Sequence, residues 1–382
     1  MRILFSMMPA GGHFRPLVPI AEAALRAGHQ VAVCTPASAK VQVDAYRLEH
    51  LPAGHDWVSD EIASVAHETS VPSDHGERLT LHLAAEGYPG PEAVRTARDI
   101  LAHDWRPDVI VRENTEFGGY LAAEVLGVPH VSVGAVGAST TYLDVALSAP
   151  ALDRGRAELG LPSDPDGRRI HAYLHAYLMP SSFDPDELSI PNVHCYQQTS
   201  PRLPGERLPD WVAELPAPPV FAAFGTMHPR TAAWHPAAAA VAAGIGMLGC
   251  PGVIASGGAA VGSPPSSVRV VDWISQPLML ECASVFVHHG GFNSVREGLR
   301  AGVPMVVIPW FTDSVANATR CVEAGVAVSV PYEEVTPEAI RSACAEVADN
   351  PSYKQAAEAM RRRILCLPSV DDMVADIAAL SR

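Results

Sequence analysis

Residues 273–317 read WISQPLMLECASVFVHHGGFNSVREGLRAGVPMVVIPWFTDSVAN. The run from Ala283 to His289 is short and apolar, the pattern of a strand buried on both faces of a parallel sheet. Gly290 and Gly291 make a tight turn. Asn293 to Gly302 reads as a helix stopped by its glycine, and Val303 to Trp310 supplies the next strand. Strand, glycine turn, helix, strand is one βαβ unit. The turn leaves the first amides of the helix available to an anion, most simply a phosphate. His289 enters the turn, and Asn293 and Ser294 fall in the first helical turn. Glycine turns are common, so an ordinary βα corner explains these residues equally well until their order is considered.

The order is more specific. Trp273, Gln276, His289, Gly291, Asn293, Ser294, Glu297, Asp313 and Asn317 follow one another within this single stretch. The arrangement resembles the nucleotide-sugar signature of the family-one glycosyltransferases of the GT-B fold: Trp-x-x-Gln, His-x-Gly-x-Asn-Ser-x-x-Glu, then Asp-Gln and Asn. One position departs, Ser314, where the family usually has Gln. The resemblance implies an α/β chain with two Rossmann-like parallel-sheet domains facing across a cleft and a C-terminal helix crossing back to the first domain. It implies that the Trp273 indole lies against a nucleotide base and that main-chain groups of Ile274 read the base edge. Gly225, Thr226, His289, Gly291, Asn293 and Ser294 are then expected around the diphosphate. Gln276 joins this donor set, Glu297 is expected at ribose hydroxyls, and Asp313 and Ser314 at the sugar. A short Ser314 suits a deoxysugar, which has fewer hydroxyls to hold.

The 382 residues exceed one typical domain, and 48% hydrophobic content supplies two cores. A net charge of −15 argues against nucleic acid or an anionic membrane as partner. Seven cysteines, odd in number and without paired spacing, suit reduced thiols in a cytoplasm. The opening MRILFSMMPAGGHF has one early positive charge and an apolar run cut by Pro9, which reads as a first strand and not a signal peptide. AAAAVAAGIGML is too short to span a bilayer.

The first half alternates strands and helices: RILFSMM, the helix through EAALRAG, QVAVCTP, PDVIVRE, the helix EFGGYLAAEVLG and PHVSVGA. Ligands of such sheets bind beyond the C-terminal strand ends. PAGGHFRP lies at the end of the first strand, and His13 stands in it. The dinucleotide glycine pattern and the P-loop are both absent there. GGHFRPLVPIAEAALRAGHQV resembles the opening of the same glycosyltransferase family, whose Gly-His after strand one supplies the catalytic base. Imidazole titrates near neutral pH, so it can take the proton of an acceptor hydroxyl. A carboxylate that orients the ring improves the base. In the family an Asp at a later strand end does this; here Glu113 matches that position, and Glu116 is the other candidate.

Acceptor contacts are expected from Phe14, Trp57, Glu116, Tyr142, Tyr173 and Tyr177. His55 to Gly90 reads as loop and short helix. The segment from Arg168 to Phe183 reads as an amphipathic helix or, through its Tyr and His side chains, as an acceptor wall. Two Asp-Pro-Asp triplets, at 164–166 and 184–186, are turn chemistry, so no metal and no cofactor is expected. The domain reading is 1–200 for the acceptor, 201–218 as a Pro-rich linker, 219–365 for the donor and 366–382 as the returning helix.

The function this implies is a metal-independent inverting hexosyltransferase-type enzyme. It moves a sugar from a nucleotide diphosphate, with thymidine diphosphate ahead of uridine diphosphate, to a small natural-product aglycone. A C-glycosyltransferase using the same donor, a sugar-nucleotide isomerase on the same fold and a non-catalytic binding subunit are the alternatives. A homodimer is left open.

Overall fold

The computed structural model describes residues 1–56, 80–137, 144–184, 189–197, 199–225, 234–310 and 313–381. Three residues expected at the site, Trp57, Tyr142 and Thr226, lie outside the described residues. The chain forms two compact units. Among the described residues, one comprises the chain up to Leu203 together with Leu367 onward, and the other runs from Pro204 to Cys366.

The first unit holds β1 (Arg2–Ser6), β2 (Gln30–Thr35), β3 (Glu49–Pro52), β4 (Val109–Glu113), β5 (His130–Val133), β6 (His175–Tyr177) and β7 (Val193–Cys195). They lie in the order β3-β2-β1-β4-β5-β6-β7, every pair parallel. The second unit repeats the plan with β8 (Val220–Ala223), β9 (Gly252–Ala255), β10 (Val268–Val271), β11 (Val285–His288), β12 (Met305–Val307) and β13 (Ala327–Ser329). Their order is β10-β9-β8-β11-β12-β13, again all parallel. Both are doubly wound sheets. In each, the chain first builds outward on one side of the opening strand and then crosses to the other. That leaves a crevice between β1 and β4, and another between β8 and β11, beyond the C-terminal strand ends.

Strand burial follows from this topology. Ile3, Leu4 and Phe5 of β1 and Val285, Phe286 and Val287 of β11 are almost wholly buried, because helices cover both sheet faces. The last helix, Val370–Ala379, opens with a capping box in which Ser369 and Asp372 satisfy each other's backbone amides. Its Val370, Met373, Val374 and Ile377, spaced i, i+3, i+4 and i+7, enter the core of the first unit beside the helix Val18–Arg26. Each such side chain contributes about 1.5–3 kcal/mol by leaving water. The Tyr196 hydroxyl donates to Asp376 at 2.7 Å and pins the same helix to the end of β7.

Two elements differ from the sequence reading. The segment around His171 to Tyr177 is not a helix; it carries β6, in register with β5 through Ser132 and His175. Only three residues pair, too few for a period-2 signal to stand out against tyrosines at helical spacing. The helix Asp313–Glu323 was not foreseen. No helix of the described residues is long and apolar enough to cross a membrane.

Candidate active site

Five consecutive polar residues, Arg112 to Glu116, close β4, and all five are buried. Unpaired polar groups in such a place would cost several kcal/mol, and of the buried side-chain polar atoms here all but Nε of Arg112 are hydrogen-bonded. Arg112 donates to the carbonyls of Glu113, Asn114, Glu116 and, across the unit, Ile170. Its guanidinium lies over the Phe117 ring at 5.2 Å. Asn114 accepts from the amides of Ala135 and Val136 and donates to the Val136 carbonyl, tying the turn to the loop after β5. Glu116 accepts from the amides of Gly118 and Gly119 at 2.6 and 2.8 Å, at the positive end of the helix Gly118–Leu126.

Glu113 faces the crevice between β1 and β4. Its Oε1 lies 3.1 Å from Nδ1 of His13, which is carried on the short turn Gly11–Phe14 just beyond β1. The Glu113 side chain is wholly buried and that of His13 is 19% exposed, so the ring is the only member of the pair that reaches solvent. Burial alone would raise the Glu113 carboxyl. The charge and hydrogen bond of His13 and two donors from Thr115 outweigh it and hold the group below the ordinary carboxylate value. Glu116 goes the other way, raised by burial. The choice between the two carboxylates is thereby made: Glu113 meets His13, and Glu116 caps a helix.

In the second unit, Gly225, two residues beyond β8, is left-handed, φ +71°, and a Cβ there would come within 2.8 Å of the His289 ring. Gly290, at φ +91°, packs on the backbone of Ser314, where a Cβ would lie 2.9 Å from a carbonyl oxygen. Asn317 donates to the Gly290 carbonyl at 2.9 Å and to Asp313 at 3.0 Å. His288, which the sequence reading left unassigned, accepts the Gly290 amide through Nδ1 at 3.0 Å and is stacked on Phe286. Burial pulls His289 down to about 4 despite a hydrogen bond to the Ala223 carbonyl. At neutral pH it therefore lends no positive charge to the turn that leads into the helix Phe292–Ala301. Gln276 donates to Glu297 at 2.7 Å, so two donor-side candidates already hold one another. Asn293 accepts from Arg296, Ser294 is buried, and Ile274 is buried beside a Trp273 ring that is 61% exposed. Replacing Gly290 by Ala combines a disfavoured φ with a backbone clash. We expect a loss of about 2 kcal/mol or more, read as a fall in melting temperature of the purified chain.

Comparisons with known proteins find similarity along nearly the whole chain. Residues 252–380 match the family described as erythromycin biosynthesis protein CIII-like, C-terminal domain. The chain is 26% identical to the aklavinone 7-beta-L-rhodosaminyltransferase of Streptomyces galilaeus, over 94% of this chain and 91% of that one. It is also 26% identical to the 3-alpha-mycarosylerythronolide B desosaminyl transferase of Saccharopolyspora erythraea, over 98% and 97%. Among solved structures, the spinosyn rhamnosyltransferase superposes with a TM-score of 0.82 at 20% identity, covering 99% of this chain and 100% of that one.

This chain is a glycosyltransferase of the GT-B fold.

Several expected contacts of the transferase are nonetheless elsewhere. Phe14, expected at the acceptor, is buried in the core of the first unit with its ring 5.7 Å from Tyr46, because the turn that carries His13 outward points the next side chain inward. Tyr173 packs edge-on against His130, the first residue of β5, and so sits at the end of the sheet opposite the His13 crevice. Tyr177 is at the correct end but wholly buried against Gly134, with no surface to offer an acceptor. Both oxygens of Glu116 are committed to helix amides, which removes it from the acceptor set as well. Ser314 is turned inward: it is buried and its hydroxyl accepts the Trp310 amide at 3.2 Å. The first Asp-Pro-Asp triplet is a turn, with Asp164 accepting the amides of Arg168 and Arg169.

Proposed function

We propose that the transferase is a metal-independent, inverting enzyme that moves a deoxysugar from a thymidine diphosphate donor to a hydroxyl of a natural-product aglycone. The observation that carries this reading is the His13–Glu113 pair in the β1/β4 crevice. With Nδ1–H given to Glu113, the lone pair of the imidazole lies on Nε2. Nε2 takes the acceptor proton as the acceptor oxygen attacks the anomeric carbon from the face opposite the diphosphate. One bond forms as one breaks, so configuration inverts. Glu113, already ionised, stabilises the imidazolium that results. The departing diphosphate gains charge, which amides at the start of the helix Phe292–Ala301 would stabilise.

The inward turn of Ser314 withdraws the sequence argument for a deoxysugar. Support for that donor now comes from the relatives, named as rhodosaminyl and desosaminyl transferases. A Streptomyces glycosyltransferase solved with thymidine diphosphate, 24% identical with a TM-score of 0.77, supports the base. Thymidine diphosphate at about 100 times its dissociation constant should raise the melting temperature by roughly 5 °C or more, with or without a chelator. An equal or larger rise with uridine diphosphate overturns the base preference. A rise that vanishes with chelator overturns metal independence.

A further inference from the structure

We propose that Thr115 is the positioning residue that holds the Glu113 carboxylate against His13. The inference rests on the His13–Glu113 reading above and extends it. A glutamate here poses a mechanical problem: it has one more rotatable bond than the aspartate that the family resemblance leads one to expect, so its carboxylate needs holding at a fixed point.

Thr115 supplies that point twice. Its backbone amide donates to Glu113 Oε2 at 2.8 Å. Its hydroxyl reaches Oε1 at 2.7 Å and Oε2 at 2.9 Å. The long side chain is thus folded back onto the residue two positions later. Oε1, the atom shared with His13, is the one the hydroxyl approaches most closely. The same Thr115 oxygen lies 3.4 Å from His13 Nδ1. Since its proton is given to the carboxylate, the oxygen turns a lone pair toward Nδ1, which favours the Nδ1–H tautomer.

The backbone under Thr115 is itself fixed. Arg112 grips the carbonyls on either side of it, and Asn114 is locked to the loop after β5. A threonine 1% exposed in such a turn cannot drift. Hydroxyl, carboxylate and imidazole therefore meet at Nδ1, and the hydroxyl acts on the charge of the ring chiefly by holding Glu113 against it.

The test follows the His13 ring itself by NMR titration of the full chain, with the resonance assigned by its loss in His13→Ala. In Glu113→Gln the His13 midpoint should fall by about one unit or more, because the nearest anion is gone. In Thr115→Val it should fall in the same direction by about half a unit, as the carboxylate leaves its place. Thr115→Ser should restore the wild-type midpoint. The Glu113→Gln/Thr115→Val double variant should fall no further than Glu113→Gln alone, since effects transmitted through one group do not add. A hydroxyl that only packs leaves the midpoint unchanged, and one that only competes with His13 for the carboxylate raises it. Either result in Thr115→Val, with Glu113→Gln behaving as expected, overturns this proposal and leaves the pair standing. No movement in Glu113→Gln overturns both. Thr115→Ala is read in parallel, so that poor folding of the valine variant does not remove the comparison.

Discussion

Replacing His13 with Ala should lower transfer by about 10³-fold or more while leaving thymidine diphosphate binding unchanged. A positioned general base contributes roughly 10²–10⁴ in rate, and an aglycone hydroxyl is a poor nucleophile while it keeps its proton. His13 belongs to the first unit, whereas the glycine turn and the helix Phe292–Ala301 belong to the second. The substitution therefore removes the base without touching the expected donor contacts. The ring is partly exposed, and its loss should cost little stability. The measurement is turnover of a thymidine diphosphate sugar with an accepted aglycone, alongside the melting-temperature rise given by thymidine diphosphate. A variant within ten-fold of the wild-type rate removes His13 from the mechanism. Loss of donor binding in step with loss of rate removes the division of labour between the two units.

Mild acid should unfold the transferase, and the first unit should go first. His130, His171 and His175 are buried in the first unit and His288 in the second. Burial, aided in the first unit by the nearby Arg112 charge, lowers His175 to about 3 and the other three well below their ordinary value of 6.5. The sign follows from linkage. Between the depressed folded value and 6.5 the unfolded chain binds more protons, so stability is full above that window and drains as pH falls through it. Each group removes roughly 2 kcal/mol between pH 7.5 and pH 5, as does His289 of the second unit, lowered to about 4, so the first unit loses about 6 kcal/mol and the second about 4. A loss of that size rivals the whole stability of an ordinary domain. Melting temperatures followed from pH 7.5 to pH 5 should fall steeply, with a lower transition separating out. A curve flat to within a few degrees down to pH 5 contradicts the neutral, buried state of these rings.

The legible part of the transferase was the part with a period. Apolar runs such as Val285–Val287 and Val109–Val111 announce buried strands. Proline and glycine mark the ends of the helix Pro337–Asp349 and the turn at Gly290. The stretch from Val285 to Gly302 reads as a strand, a turn and a helix, and the structure has those elements there. Arg112 to Glu116 carried no such signal. Five polar residues in a row resemble a solvated loop, and nothing local says that they are buried and hydrogen-bonded to one another and to the elements around them. Thr115 and His288 were missed for the same reason: each acts on a neighbour two residues away through a bend that no periodicity encodes. The short strand β6 was mistaken for a helix because three residues are too few to show alternation.

By itself, then, the sequence determined two doubly wound parallel sheets, the glycine turn of the second and the presence of an imidazole at the end of the first strand. Backbone conformation and strand burial follow from local chemistry summed along the chain. Tertiary structure alone decided which of two carboxylates, Glu113 or Glu116, meets His13. It also turned Ser314 and Phe14 inward and put Tyr173 at the opposite end of its sheet. The direction of a side chain at a strand end is set by what distant elements leave room for and by which hydrogen bonds are already taken.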